Sequence, residues 1–258
     1  MKVKGENGSK TVMVALGLLD WFSLERQQIG LSEFVKLSNI PKANVLRHLT
    51  AMEQSGLIKQ DMRTKKYQLG FKALELAYLV NKQFNLRDLS LPYMEKVKEE
   101  TNETVCLQIE DNGWGVCIER LEPNNKLVYL PPIGSREHLH AGASRKVLLA
   151  FLPDERIEDI INKGLAVVAP NTVTDPMLLR REIKEIREKG YVITESEHVD
   201  GVTAISTPIK DRNGNVVASL SVVGPTFRIG EALKEQYLHS LMKAAAEISM
   251  ELGFKGKT

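Results

Sequence analysis

The sequence predicts an α+β protein with an amino-terminal winged helix-turn-helix, a linker helix and a carboxy-terminal domain built on an antiparallel sheet. Two observations support this fold class. Residues 30–70 show two short helical patterns separated by a tight break and followed by a strand-turn-strand pattern. Further along, strand-like segments in hairpins alternate with helical ones. We place the three parts at residues 1–70, 71–89 and 90–258.

The helix-turn-helix prediction depends on where its two helices begin and end. Ser32 is a candidate cap for the first helix. Pro41 suits the first turn of the second helix, where a missing N–H has no cost, and Gly56 ends that helix. Apolar residues recur on the second helix at three- and four-residue spacing and indicate one buried stripe: Val45, Leu46, Leu49 and Met52.

Basic and polar residues occupy the rest of the second helix and the hairpin turn. In a winged helix-turn-helix, the second helix enters the DNA major groove and a basic turn contacts phosphates. The alternative is a small helical domain with a solvated charged face, which the charge pattern alone would favour. The order of the elements favours contacts with double-stranded DNA from Lys42, Asn44, Arg47, His48, Arg63, Lys65 and Lys66.

The charge distribution is uneven, although the net charge is only +2. Residues 1–90 contain 14 Lys and Arg against 8 Asp and Glu, whereas the remainder contains 21 against 25. A basic first third is consistent with nucleic-acid binding by one end of the chain, and chance asymmetry is the alternative.

Targeting and redox signals are sparse. The amino end has no apolar segment typical of a secretory signal, and no apolar run is long enough to span a bilayer, so we expect a cytoplasmic protein. Residues 1–8 are predicted to be disordered. Cys106 and Cys117 do not form a CxxC pair and lie in strand-like runs, which predicts free buried thiols.

Helices and strands can be assigned along most of the chain. A first helix is predicted from Ser9 or Thr11 to about Glu25. A helix over 71–87 has an apolar face, for which we favour the same helix of a second subunit as the partner. Asn112-Gly113 and Asn213-Gly214 indicate hairpin turns. The other predicted helices are 88–101, 143–151, 155–162, 176–189 and 232–252, and the predicted strands are 104–110, 115–122, 126–130, 191–196, 202–210 and 215–224.

Catalytic and metal-binding motifs are weak or missing. The sequence contains no GxSxG, Walker or HExxH motif, and Ser144 lacks the serine-to-lysine spacing of a β-lactamase-type nucleophile. His138 and His140, together with Cys106 or His198, give only a weak metal signal. We therefore predict no catalytic residue, metal or cofactor. The alternative is a small-molecule sensor or a cryptic enzyme whose amino-terminal part makes protein contacts.

Taken together, the chain resembles the isocitrate lyase regulator (IclR) family of bacterial transcriptional regulators. The resemblance covers the chain from about Ser9 to Leu252. Besides the carboxy-terminal helix, the matching stretches are IPKANVLRHLTAMEQSGLI, HLHAGASRKVLLAFLPDE and EKGYVITESEHVDGVTAISTPIKDRNGNVVASLSVVGP.

The resemblance implies a GAF-like or profilin-like effector domain, and dimers that often pair into tetramers on DNA. It also implies a ligand-responsive regulator, such as a repressor of a small-molecule catabolic pathway. Two departures stand out. Ala43-Asn44 replaces the family's usual Ser-Thr at the start of the recognition helix, and Arg145-Lys146 replaces its usual Gly-Lys beside the effector site.

The start of the helix at 143 suggests where an effector binds. The first N–H groups of a helix favour an anion, and Gly142 allows close approach, so a small organic acid is a natural ligand. The alternative is that Gly142 only makes the turn and Ser144 only caps the helix. Besides Gly142 and Ala143, the resemblance places four residues in the pocket: Thr194, Ala204, Ser221 and Val223. Each of these four could instead be a plain core residue.

Overall fold

The computed structural model describes residues 9–23, 25–83 and 85–255, apart from the side chains of 80–83 and 85. Residues 1–8, for which the sequence predicts disorder, lie outside the described residues. Contacts divide the chain into two units, residues 1–84 and 85–258. The predicted boundaries at 70 and 89 fall on either side of this division, and the role of 71–89 as a linker stays a prediction.

The described part of the first unit consists of short helices and a two-stranded hairpin. Its elements are α1 (Lys10–Gly17), a 3₁₀ turn (Leu19–Trp21), α2 (Leu31–Ser38), α3 (Lys42–Gln54), β1 (Ile58–Gln60), β2 (Tyr67–Leu69) and α4 (Phe71–Gln83). A bridge between Ile29 and Tyr67 extends the hairpin, giving the helix-turn-helix and wing that the sequence predicts. The core residues come from α2, α3, the hairpin and the segments next to them: Leu18, Ile29, Phe34, Val45, Leu49, Met52, Ile58 and Tyr67.

Two helix boundaries differ from the prediction in this unit. The first helix begins after Ser9, whose hydroxyl accepts from the Val12 N–H, but it ends at Gly17 rather than near Glu25, because glycine is a poor helix former. The amino-terminal cap of α2 is Gly30, and Ser32 lies inside the first turn.

A third correction concerns the helix predicted over 71–87. Residues 85–87, which we assigned to the end of this helix, belong to α5 (Asn85–Thr101), and no boundary lies at residue 88, whereas α4 is described from Phe71 to Gln83. Residue 84 lies outside the described residues. The acidic side chain of Asp88 then lies in the first turn of α5, where the helix dipole favours a negative charge.

The second unit is built on one antiparallel sheet in the order β5-β4-β3-β8-β7-β6. Its remaining elements are β3 (Thr104–Asp111), β4 (Trp114–Leu121), β5 (Arg136–His138), α6 (Ala143–Ala150), α7 (Asp154–Asn162), α8 (Pro176–Lys189), β6 (Val192–Glu195), β7 (Val202–Lys210), β8 (Val216–Pro225) and α9 (Glu231–Glu251). Among the described residues, no helix is both long enough and apolar enough to span a membrane.

The strand predicted at 126–130 is wrong, and the edge strand is instead β5. Pro131 and Pro132 follow the predicted segment and have no N–H to donate to a sheet. The carbonyls of Leu130 and Pro131 accept from the guanidinium of Arg120 rather than from a neighbouring strand.

The two faces of this sheet differ in composition. Side chains alternate along each strand, and one set of positions on β8, comprising Ala218, Leu220 and Val222, packs in the core that includes residues of α5 and α9. The other set, comprising Ser219, Ser221 and Val223, lies on the opposite face, where Ser221 contacts Ser144 of α6. Small and polar side chains on this second face leave space for a cavity.

Candidate DNA-binding surface and ligand cavity

Helix α3 presents charged and polar residues on one side and its apolar stripe on the other. Val45, Leu49 and Met52 are buried, while Lys42, Asn44 and Arg47 are exposed. Leu46, which we assigned to the buried stripe, is 43% exposed. The exposed side therefore carries side chains of the types that donate to base edges and phosphates in protein–DNA complexes.

His48 does not belong to this exposed side. Its side chain is 93% buried, with only 7% of its surface exposed. His48 comes three residues after Val45, which belongs to the buried apolar stripe, and this spacing places both side chains on the same face of the helix. We therefore remove His48 from the set of predicted DNA contacts.

The wing turn between β1 and β2 is held in shape by Asp61. Its Oδ1 accepts from the N–H groups of Arg63 (2.9 Å) and Thr64 (2.7 Å). These bonds favour the carboxylate and lower the pKa of Asp61, with the Thr64 N–H as the largest cause. Lys65 adopts a left-handed conformation with φ of 58°. Arg63, Lys65 and Lys66 all remain exposed on this turn.

A cavity lies between α6 and the face of the sheet that carries the small side chains. Its free volume is about 30 Å³, enough for roughly two water molecules. Five of the six predicted pocket residues line it: Gly142, Ala143, Thr194, Ala204 and Val223. Sequence reasoning missed Gln108, Tyr129, Glu197 and His198 as effector-pocket residues, although they also line the cavity.

Ser221 does not line the cavity, contrary to the prediction that its hydroxyl faces a ligand. Its side chain lies on the correct face of β8 but is fully buried against α6. The Ser144 hydroxyl donates to Ser221 Oγ at 2.9 Å, so Ser144 contacts the sheet rather than capping the helix.

We predicted that the amides at the start of α6 are free to hold a ligand, and this is wrong, because both have acceptors within the chain. The Ala143 N–H donates to Thr194 Oγ1 at 3.1 Å, and the Gly142 N–H donates to Glu197 Oε2 at 3.4 Å. The positive end of the helix dipole thus already faces a carboxylate of the chain itself. Gly142 has φ of 89°, which explains the glycine at this position.

Lys146 anchors that carboxylate. Its ammonium is fully buried and lies 2.6 Å from Glu197 Oε2 and 2.7 Å from Glu182 Oε2. Burial raises the pKa of Glu197, and the nearby Lys146 opposes this shift. The charge of Lys146 is therefore already matched by two carboxylates.

Arg145 is a second buried cation at the same helix, with different partners. Only 6% of its surface is exposed, and its Nε donates to the carbonyl of Ala141 at 2.6 Å. Among the described residues, no carboxylate forms an ion pair with it. Burial lowers the pKa of Arg145, yet arginine stays charged in proteins.

Two further cavity residues have pKa values shifted by burial. Burial raises the pKa of Tyr129 to about 12. Burial, together with the charge of Arg145 and the neighbouring His138, lowers the pKa of His198 to about 4, so this imidazole is neutral at pH 7. The rings of Tyr129 and His198 meet edge to face, with centroids 6.3 Å apart.

The histidine cluster considered as a metal site has another arrangement. The rings of His138 and His140 pack at 5.4 Å, and His140 Nε2 lies 2.9 Å from the Ala166 carbonyl oxygen. Within the described part of the chain, no group of three His, Cys, Asp or Glu side chains is placed to hold a metal ion. Cys106 and Cys117 are free and buried, as predicted.

Comparison with known proteins decides the family. The profile described as the IclR helix-turn-helix domain matches residues 11–62, and that described as bacterial transcriptional regulator IclR C-terminal matches residues 78–250. The chain belongs to the IclR family. It is a DNA-binding, ligand-responsive transcriptional regulator.

Relatives match this IclR chain over nearly its whole length. The transcriptional regulator KipR of Bacillus subtilis is 32% identical, covering 96% of this chain and 99% of KipR. The transcriptional repressor AllR of Klebsiella pneumoniae is 28% identical, covering 97% and 92%. A crystal structure of an IclR homolog from Microbacterium hydrocarbonoxydans, complexed with 4-hydroxybenzoate, has a TM-score of 0.84 at 28% identity, covering 94% and 99%.

Proposed function

We propose that this IclR-family regulator is a repressor that binds its operator through α3 and the wing, and responds to a small organic acid in the α6 cavity. The observation that supports it best is the pairing of an exposed basic face on α3 with a separate, partly polar cavity in the second unit. The repressor AllR and the homolog complexed with 4-hydroxybenzoate support the two parts of this proposal.

We assign the DNA contacts to Lys42, Asn44 and Arg47 on α3, and to Arg63, Lys65 and Lys66 on the wing. An exposed asparagine side chain can bond an adenine edge with two hydrogen bonds, so Asn44 is our candidate for reading a base. The wing cations would contact phosphates without regard to sequence. Such binding would take place in the cytoplasm, where operator DNA lies.

We also propose that the protein acts as a dimer, with α4 contributing to the contact and with dimers pairing into tetramers on DNA. Large apolar side chains on α4 and α1 are exposed, including Leu74 at 68% and Val12 at 53%. Water-exposed apolar groups of this extent commonly mark interaction surfaces. A dimer would read two half-sites related by a two-fold axis.

The test uses two variants with opposite expected effects. DNA duplexes from the region upstream of the gene are titrated with the protein, with and without each of a panel of small acids. Ala204→Leu fills the cavity, so it should abolish the acid response while leaving DNA affinity nearly unchanged. Arg47→Ala should weaken DNA binding and leave the affinity for the acid unchanged.

The expected effect of the acid on operator affinity follows from the coupling free energy that is typical between two binding sites of one protein. We expect the acid to change operator affinity by about 5- to 150-fold, the range typical of such coupling. A folded Ala204→Leu variant that still responds fully to the acid would place the ligand elsewhere.

Asn44→Ala should relax preference at one base position, by about 1–3 kcal/mol if the contact is bidentate.

A further inference from the structure

The guanidinium of Arg145 is buried and has no ion-pair partner among the described residues, although the charge of Glu137 acts on it from a greater distance. Lys146, the next residue, has two carboxylates within 2.7 Å, whereas no described carboxylate pairs with Arg145. Its Nε donates to the Ala141 carbonyl, and the two terminal nitrogens have no acceptor among the described residues. Burying a charge without a partner is costly, so a buried cation of this kind calls for an anion.

The surrounding backbone leaves room for this side chain. A Cβ added to Gly115 of β4 would lie 2.5 Å from Arg145 Cγ, and one added to Gly142 would lie 2.7 Å from Arg145 Nη2. Glycine at both positions therefore lets the stem and the head of Arg145 lie beside the cavity. Its placement results from packing on two sides, since β4 and the turn before α6 both accommodate it.

Two residues that line the same cavity each have a buried polar atom without a partner: an amide oxygen, and an imidazole nitrogen that accepts when the ring proton lies on Nε2. Gln108 is 4% exposed, and its Oε1 is buried with no hydrogen-bond partner among the described residues. The Nδ1 of His198 is likewise buried without a partner. A ligand that brought one donor group could satisfy either atom, while its negative charge met Arg145.

The charges of the cavity limit the ligand to one negative group. Lys146 is already matched by Glu182 and Glu197, and Glu197 itself occupies the amide end of α6. A second carboxylate on the ligand would therefore face Glu197 without a cation of its own. The small free volume of about 30 Å³ also favours a small molecule.

We propose that Arg145 is the anion receptor of the cavity, and that the effector is a small monocarboxylate carrying one hydrogen-bond donor, such as a hydroxyl. The carboxylate pairs with the Arg145 guanidinium, and the donor meets Gln108 Oε1 or His198 Nδ1. This assignment rests on the proposed function, because it names the ligand class of the proposed effector cavity.

The experiment uses the full chain and probes matched in pairs. Glycolate, lactate, 3-hydroxybutyrate and 4-hydroxybenzoate are compared with their primary amides, which lack the charge, and with acetate, propionate, butyrate and benzoate, which lack the hydroxyl. Dissociation constants are measured by calorimetry. At least one hydroxy acid should bind the wild-type chain, and its amide and its hydroxyl-free counterpart should each bind at least about tenfold more weakly.

Arg145→Met should weaken the bound acid by roughly 30-fold or more, while the affinity for the matching amide changes little. Arg145→Lys keeps the charge and should retain part of the affinity for the acid. Because Arg145→Met removes an unmatched buried charge, its melting temperature should equal or exceed that of the wild type. A purely structural role would lower the melting temperature and leave the acid-to-amide ratio unchanged.

A second variant tests the same receptor without removing its charge. Gly115→Ala places a methyl group against the Arg145 stem, and it should also lower acid affinity more than amide affinity. Equal binding of acid and amide by the wild type, full acid binding by a folded Arg145→Met variant, or no binding of any hydroxy acid at millimolar concentration would each overturn the proposal. If Ala204→Leu abolishes acid binding and Arg145→Met does not, the cavity assignment stands and the receptor assignment fails.

Discussion

The exposed cations of the first unit and the buried cations of the second differ in how their charge is balanced. Lys42, Arg47 and the wing residues are exposed, so water and salt ions already solvate them. Arg145 and Lys146 are at least 94% buried, and only Lys146 has carboxylate partners among the described residues. In our two proposals, the same residue types thus form a surface for many phosphates and a cavity for one small anion.

This difference has an energetic consequence. Exposed charges interact weakly in water, and salt screens them over about 8–10 Å at ordinary ionic strength. A buried charge is screened far less, so a single partner matters more. We therefore expect DNA affinity to be the sum of several small, salt-dependent terms, and ligand affinity to depend on one large, salt-insensitive term.

The largest expected effect comes from removing a buried cation that has partners. Lys146→Met leaves Glu197 buried opposite Glu182 without its ammonium, so we expect a loss of about 3 kcal/mol in the free energy of unfolding. Denaturant titration measures this. The matched control is Lys184→Met, because Lys184 is exposed and lies 3.9 Å from Glu188, and its loss should stay below about 0.5 kcal/mol.

The pH dependence of the Lys146→Met variant gives a further check on its cause. Without Lys146, burial remains the largest influence on Glu197 and, together with the charge of Glu182, raises its pKa in the folded state against the weaker effect of the Gly142 N–H. A folded-state pKa above the unfolded value means that stability is present at low pH and is lost as the pH rises through the folded pKa. The stability deficit of the variant should therefore grow with pH, and a deficit independent of pH would contradict this explanation.

The next effect concerns His198, the neutral histidine of the cavity. Its pKa falls to about 4 in the fold, against an ordinary value of 6.5. Because the folded pKa is depressed, its contribution to stability is complete above pH 6.5 and is lost as the pH falls from there towards 4. Solvent screens part of this at a partly exposed ring, so we expect about 1–2 kcal/mol of acid destabilisation from this residue.

Denaturant midpoints of wild type and His198→Gln, measured between pH 7.5 and about 4.5, isolate this effect, since other titrating groups cancel in the difference. The variant should lose less stability than the wild type over this range. Equal losses would mean that His198 takes up its proton in the folded state as easily as in the unfolded chain.

The smallest effect is expected from the wing. Lys65→Ala with Lys66→Ala should weaken all DNA sequences alike, and each lost phosphate contact should reduce the salt slope by about 0.9. Fluorescence anisotropy at several salt concentrations gives the slope. Met62→Ala is a control at the same turn, because Met62 is 79% exposed and uncharged. An unchanged slope in the double variant would remove the wing from the DNA contacts.

Local signals predicted most of the fold. Helix α8 was predicted with its bounds, and in the structure its limits are set locally, since Asp175 caps it and Gly190 ends it in a left-handed conformation. The prediction of a strand at 126–130 was wrong, because a strand forms only where a neighbouring strand pairs with it. The guanidinium of Arg120 instead donates to the carbonyls of Leu130 and Pro131. That contact joins segments separated in sequence, and periodicity does not reveal it.

The cavity was predictable in part. The family resemblance placed Ala204 and Val223 in the pocket, and the two-residue alternation of a strand put Ser221 on the same face as Val223, but neither could show that Ser144 covers Ser221. Gln108 lies two residues after Cys106 on β3, and nothing in the sequence pointed to either of them as a pocket residue. Tyr129 lies on irregular backbone, where no period applies, and its position became visible only in the fold.

Salt dependence, measured on one preparation for both ligands, tests the comparison most directly. The affinities for operator duplex and for a bound hydroxy acid are determined between about 50 and 200 mM salt. With five exposed cations on phosphates, the log–log slope for DNA should be roughly −4 per protomer. The slope for the acid should stay below about one in magnitude, because a buried pair is poorly screened. A flat DNA slope, or an acid slope as steep as that of DNA, would contradict the account.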